Sequence, residues 1–231
     1  MVDPLQSDLS ARTATGLALI FDMDGVILNS NPIHCEAWRV FNRGYGLETS
    51  DAMVEWMYGR RNDEIVRGFF GADLPEAENA ARGAAKERLY REMMTGRVEE
   101  HLTPGLREFL NMQSAIPKAV ASNAEPENVA FVLDEAGLRS YFRAVVDGHQ
   151  VSRPKPSPDV FLRASALLGV HPRNCIVFED SYSGVAAARA AGMRVVGIRS
   201  SHDELPGADL AADDFRDGEL HSWLLAQVRS L

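Results

Sequence analysis

"LALIFDMDGVILNS", residues 17 to 30, begins with five apolar residues and then presents two aspartates one residue apart, followed by a glycine. An unbroken apolar run of this kind reads as a strand buried on both faces, the pattern of a parallel sheet covered by helices. Asp22 and Asp24 then stand at its carboxyl end, where open α/β sheets bind their ligands. The plainer reading of "DMDG" is an Asp-Gly turn with a helix cap. The continuous apolar run before it argues against a simple hairpin.

Four more runs repeat the pattern: "KAVAS" (118–122), "AVV" (144–146), "CIVF" (175–178) and "RVVGI" (194–198). Helical patterns lie between them, in "PGLREFLNMQ" (104–113), "PENVAFVLDEAG" (126–137), "PDVFLRASALLG" (158–169) and "SGVAAARAAG" (183–192). Three of these close on glycine, as helix ends often do. Strand alternating with helix predicts an α/β fold, a doubly wound, Rossmann-like parallel-sheet core. A weaker strand signal falls near "ADLAA" (208–212), and a closing helix is expected from about Glu219.

Residues 32–100 break the rhythm. They hold amphipathic helical patterns such as "PIHCEAWRVFNRGYG" and "LPEAENAARGAAKERLYREMM" but no convincing buried strand. A stretch of about 70 residues is far more than a crossover needs. The expected organisation is a catalytic core of residues 17–31 and 101–231, an inserted α-helical cap of 32–100, and a mobile leader of 1–16.

The chain has 231 residues, with 24 basic and 33 acidic side chains giving a net charge of −9. Without a dense basic cluster, nucleic acid is not an expected partner, and an acidic chain is repelled by anionic membrane surfaces. Cys35 and Cys175 are too few and too far apart for a disulfide framework, and Cys175 in "NCIVF" reads as a small buried apolar residue. No apolar stretch reaches transmembrane length, and the N-terminus lacks the centre of a signal peptide. The expectation is a cytoplasmic monomer acting on a small molecule.

The strand ends carry the chemistry. Asp22, Asp24 and Gly25 follow the first run, Ser122 and Asn123 the second, and Glu179 and Asp180 the run "CIVF"; Lys155 lies in a loop, "SRPKPSPD". Four carboxylates in one cleft repel, and some would protonate rather than remain charged together. A divalent cation resolves the conflict, and oxygen-only ligands favour Mg²⁺, which keeps room for water and a substrate phosphate. Ser122 and Lys155 supply the donor and the positive charge that a phosphoryl group needs. Taken singly, each has a plain reading: a helix cap for Ser122, a solvated loop lysine, two acids charging a helix start. Together they form a site for phosphate, magnesium and a carboxylate nucleophile.

"DMDGV", "ASN", "RPKPSPD" and "FEDS", in that order, resemble the motifs of the haloacid dehalogenase superfamily of phosphotransferases. The insertion point suits the subclass with a helical cap after the first motif, and its group of β-phosphoglucomutases and sugar-phosphate phosphatases. The resemblance implies that Asp22 attacks phosphorus to form an aspartyl-phosphate, while Asp24 gives and takes the proton. It implies Mg²⁺ held by Asp22, Glu179, Asp180 and the backbone carbonyl of Asp24. Ser122 and Lys155 would hold the phosphate, Asn123 would add a donor, and Gly25 would let backbone amides approach closely.

The cap residues keep two readings. His34, with Trp38 at i+4, is either a partly exposed helical histidine or, as in β-phosphoglucomutases, a residue over the site that helps to position the acid/base aspartate. Arg60 and Arg61 either reach a second anionic group of the substrate or open a helix at the surface. Lys86 occupies the place of a substrate-side lysine, although so charged a helix favours a solvated one. Asn29, Asn62 and Glu125 depart from the mutase pattern. The implied activity is a Mg²⁺-dependent phosphatase of small phosphorylated metabolites such as sugar phosphates. The alternatives are a β-phosphoglucomutase-like isomerase using the same aspartate, and a receiver-like signalling domain phosphorylated on aspartate.

Overall fold

The computed structural model describes residues 16–57 and 60–230. The expected leader lies outside them, apart from Gly16. Six strands form one sheet: β1 (Ala18–Phe21), β2 (Lys118–Ala121), β3 (Ala144–Val146), β4 (Cys175–Glu179), β5 (Arg194–Ile198) and β6 (Leu210–Ala212). Their order is β3-β2-β1-β4-β5-β6, and every pairing is parallel. The order reverses beside β1, which places a crevice between the carboxyl ends of β1 and β4.

Alternate side chains explain why the strands read as unbroken apolar runs. Leu19 and Phe21 of β1 and Ile176 and Phe178 of β4 enter one apolar cluster, where the Phe21 and Phe178 rings stack at 4.7 Å. Ala18, Ile20, Cys175 and Val177 enter the cluster on the opposite face. Each face is roofed by helix, so no position along these strands has to be polar. Cys35 and Cys175 are both buried, and neither is part of a disulfide.

The helices between β1 and β2 are α1 (Asn31–Gly44), α2 (Asp51–Met57), α3 (Asn62–Phe70), α4 (Glu76–Met94), α5 (Val98–His101) and α6 (Leu106–Met112). Those of the insertion have a small core of their own, in which Cys35, Trp38, Met57, Ile65 and Val66 pack together. Tyr90 and Met94, near the end of α4, instead join the cluster under the sheet. After β2 come α7 (Pro126–Glu135), α8 (Asp159–Leu168), α9 (Tyr182–Ala190) and α10 (Gly218–Arg229). Gly169 ends α8 at a φ of 68°, the left-handed stop that the closing glycine predicts. No helix among the described residues is long and apolar enough to cross a membrane.

Candidate active site

Parallel pairing delivers the polar residues to one place. Asp22 N donates to the Phe178 carbonyl at 3.0 Å, and Ser122 N donates to the Val146 carbonyl at 3.0 Å, so both residues extend the ladder by one step. Glu179 is the last residue of β4 and is fully buried. Lys155 reaches in from the loop after β3, and its ammonium bonds Asp22 Oδ1 at 2.7 Å and Glu179 Oε1 at 2.6 Å. Its Nζ also lies 4.8 Å from the Phe161 ring centroid. Asn123 fixes this loop, since its Oδ1 accepts from Lys155 N at 3.2 Å.

Asp22, Glu179 and Asp180 are buried and bring carboxylate oxygens within 4.8 Å of one another. Burial pushes Asp22 up to about 7, Lys155 opposes the rise, and Glu179 and Asp24 add to it. Burial also raises Asp180 well above the usual range, helped by the charges of Glu179 and Asp22, against the Ser201 and Ser200 hydroxyls. Burial disfavours the ammonium of Lys155, but Asp22 and Glu179 outweigh it and raise its pKa. One lysine thus pairs with two of the three carboxyls, Asp180 is bonded by serine hydroxyls instead, and this oxygen-only set suits a hard divalent cation. Gly25 makes the close packing possible: its φ is +79°, and a Cβ there would fall 1.8 Å from Asp180 Oδ2.

Asp24 turns away from that cluster. Its Oδ1 accepts from Ser30 Oγ at 2.5 Å and faces His34 Nε2 at 3.5 Å. Burial pushes its carboxyl up, but His34 and the Ser30 hydroxyl prevail and leave it below the usual range. His34 stacks on Tyr90 at 3.7 Å, and Lys86 Nζ meets its Nδ1 at 2.8 Å. An ammonium only donates, so Nδ1 is the acceptor in this contact and Nε2 is the ring nitrogen that faces Asp24.

The solvated reading of Lys86 is therefore overturned. Lys86 is 2 % exposed, and its ammonium bonds Glu87 Oε1 at 2.8 Å as well as His34. Glu87 also accepts from Asn62 Nδ2 at 2.6 Å and from Asn128 Nδ2 at 2.5 Å, which links α3, α4 and α7. Burial alone would raise Glu87; Lys86, His34 and Asn128 bring it down to about 2. Its contribution to stability is full above the unfolded value near 4.5 and disappears as pH falls toward 2. Glu87→Gln is accordingly expected to lose about 3 kcal/mol at pH 7. Denaturant titrations should show the gap to wild type closing between pH 4.5 and 2; a gap that stays constant there would rule out ion pairing as its source.

A cavity of about 110 Å³ joins these groups: Asp22, Asp24, Ser122, Asn123, Lys155, Glu179 and Asp180 on one side, His34, Arg60, Asn62, Lys86 and Glu87 on the other. Arg61 is not among its lining residues; it precedes α3 and lies 3.7 Å from Asp63. Glu87, Asn128 and Glu125 also line the cavity, and Glu125 pairs with His149 at 2.6 Å. Sequence reasoning left Glu87 and Asn128 out and treated Glu125 only as a departure from pattern. The one available signal for Glu87 was a second charge beside Lys86.

Acids, a lysine and a hydroxyl at the switch point of a doubly wound sheet, facing helices that lie between β1 and β2, suit a phosphoryl-handling α/β enzyme. The chain belongs to the haloacid dehalogenase-like hydrolases, whose family model matches residues 17–192. It is 35% identical over 181 residues to fructose-1-phosphate phosphatase YqaB of Escherichia coli, covering 78% of this chain and 95% of that one. It is 30% identical over 205 residues to β-phosphoglucomutase of Bacillus subtilis, covering 87% and 90%. The crystal structure of β-phosphoglucomutase from Clostridium difficile superimposes with a TM-score of 0.81 at 25% identity, over 92% of this chain and 97% of that one. Membership in this hydrolase family overturns the receiver-like alternative.

Proposed function

We propose that the chain is a Mg²⁺-dependent phosphatase of small phosphorylated sugars, with the helices from Asn31 to His101 acting as the cap over its site. The observation that carries this reading is the pair of aspartates at the end of β1, one sharing Lys155 with Glu179 and the other bonded to Ser30 and faced by His34. The relative named for fructose 1-phosphate supports the substrate class.

Asp22 would attack phosphorus as the bond to the leaving oxygen breaks, and Asp24 would give that oxygen its proton. Water would then attack the aspartyl-phosphate, Asp24 would take the water's proton, and inorganic phosphate would leave with Asp22 regenerated. Ser122, buried at the end of β2, would donate to a phosphate oxygen, and Lys155 would balance charge on phosphate and nucleophile. Asp22, Asp180 and Glu179, with the Asp24 carbonyl, would hold Mg²⁺, which supplies positive charge against the phosphate oxygens and keeps Asp22 ionised.

That charge matters because the two aspartates are shifted against the needs of the reaction. Asp22 is raised although it must attack as an anion, and Asp24 is lowered although it must begin protonated. A dication beside Asp22 and a phosphate dianion beside Asp24 reverse both shifts. Turnover is therefore expected only when metal and substrate are both bound. A phosphate-ester panel with Mg²⁺, including fructose 1-phosphate and β-glucose 1-phosphate, tests this by scoring free phosphate and isomerised product. Phosphate release that EDTA abolishes is the expected result. Rapid conversion of β-glucose 1-phosphate to glucose 6-phosphate with little free phosphate would establish the mutase instead.

A further inference from the structure

We infer that the cavity accepts phosphomonoesters of uncharged, hydroxyl-bearing molecules and excludes a second phosphate, and that Glu125 is the residue that sets this selectivity; the inference rests on the hydrolase reading above. Outside the strand-end cluster, the lysine, arginine and glutamate side chains that line the cavity are Arg60, Lys86, Glu87 and Glu125. Their formal charges cancel, and both cations are already engaged. Lys86 is held by Glu87 at 2.8 Å in a buried pair. Arg60 donates from Nε to the Trp56 carbonyl at 2.8 Å, lies over the Trp56 ring at 4.5 Å, and faces Glu64 at 3.7 Å.

Glu125 stands just before α7, three residues past Ser122. The groups that bear on it are His149, which lies 2.6 Å from its carboxylate, with Glu87, Glu127 and Arg61, and Arg61 has Asp63 at 3.7 Å. A second phosphate entering this space would meet the Glu125 carboxylate, and among the described residues the two lining cations outside the strand-end cluster, Arg60 and Lys86, are already engaged. In a part-buried cavity such a like-charge encounter is only weakly screened. Trp38, Met57 and Ile65 and the amides of Asn62 and Asn128 add apolar and neutral polar surface to this lining, suited to a carbon skeleton bearing hydroxyls.

The consequence reaches the choice between hydrolase and mutase. An isomerase whose Asp22 already carries a phosphoryl group, and which passes it to a second hydroxyl of a sugar monophosphate, forms a sugar with two phosphates that must turn round in the cavity before Asp22 takes the first phosphate back. A cavity that repels the second phosphate favours release to water.

The test compares kcat/KM for fructose 1-phosphate and fructose 1,6-bisphosphate in wild type, Glu125→Gln and Glu125→Lys. The ratio within one protein cancels any partial loss of folded enzyme. Wild type should disfavour the bisphosphate by about 100-fold, and Glu125→Lys should raise the bisphosphate-to-monophosphate ratio at least about tenfold, with Glu125→Gln between. Calorimetric binding of both esters to Asp22→Asn gives the same comparison without turnover. Equal handling of the two esters by wild type, or a ratio that Glu125→Lys leaves unmoved, overturns the inference. Selective binding of the monophosphate with no turnover would support it while overturning the hydrolase reading alone.

Discussion

Asp22→Asn is expected to lower Mg²⁺-dependent turnover by at least about 10⁴-fold, the scale seen when a covalent nucleophile is removed, and not to lower the melting temperature of the metal-free protein. The first half follows from position. Asp22 lies at the carboxyl end of the central strand, next to Ser122 and Lys155, and no other carboxylate of the cluster leads from β1. The second half follows from the direction of its shift. Asp22 rises from 3.8 to about 7, so the folded protein prefers it uncharged. For a raised carboxyl, the ionised form costs stability once pH exceeds the unfolded value, and the cost grows until the folded value is reached. An amide carries no charge to bury and removes that penalty at pH 8, while Lys155 keeps Glu179 as its partner. Metal-free melting curves at pH 5 and pH 8 check this: the variant should match or exceed wild type at pH 8, with less difference at pH 5. A variant that is both inactive and much less stable at pH 8 would mean that Asp22 holds the fold together rather than serving the reaction.

The strands were legible because burial on both faces removes every reason for a polar residue along β1, β2 and β4. Their catalytic neighbours were legible for a related reason. A polar or charged residue directly after such a run has no apolar environment to explain it, so Asp22, Ser122, Glu179 and Asp180 stand out by position. Lys155 stood out only beside the others, since a lysine between prolines follows no apolar run and has no periodicity to betray it. The second wall of the cavity was not legible. Lys86 and Glu87 sit in a helix so rich in charge that nothing in its pattern separates two buried residues from solvated ones. Their burial depends on partners far away in sequence: His34 lies 52 positions from Lys86, and Asn128 lies 41 from Glu87. Only the fold of α4 against α1 and α7 reveals that pair, and the same holds for Glu125 and His149. The fold and the strand-end cluster are therefore written locally, and the second wall of the cavity is written in contacts between distant segments.

Lys155→Met should give the largest loss of stability, on the order of 3–5 kcal/mol, because it leaves a buried ionic cluster without its cation. Methionine keeps much of the volume and the contact with Phe161, so packing contributes little to the loss. What remains is Asp22, Glu179 and Asp180, all buried, with carboxylate oxygens within 4.8 Å of one another. Lys155 itself is raised above its usual value, so its stabilisation is intact throughout the range below that value and is lost only at strongly alkaline pH. In the variant the carboxyls move higher still. Their penalty is small at pH 5, where protonation relieves the repulsion, and grows toward pH 8. The melting-temperature gap between wild type and variant should therefore widen from pH 5 to pH 8. Millimolar Mg²⁺ should narrow it again at pH 8, since a dication can take over part of the charge that the lysine supplied. Turnover should fall on the order of 10³-fold even with Mg²⁺ present, because the metal cannot also replace a donor to the phosphate. A gap equal at both pH values and indifferent to Mg²⁺ would make the loss one of packing, and Lys155 would then be a filler of space rather than the charge around which the site is built.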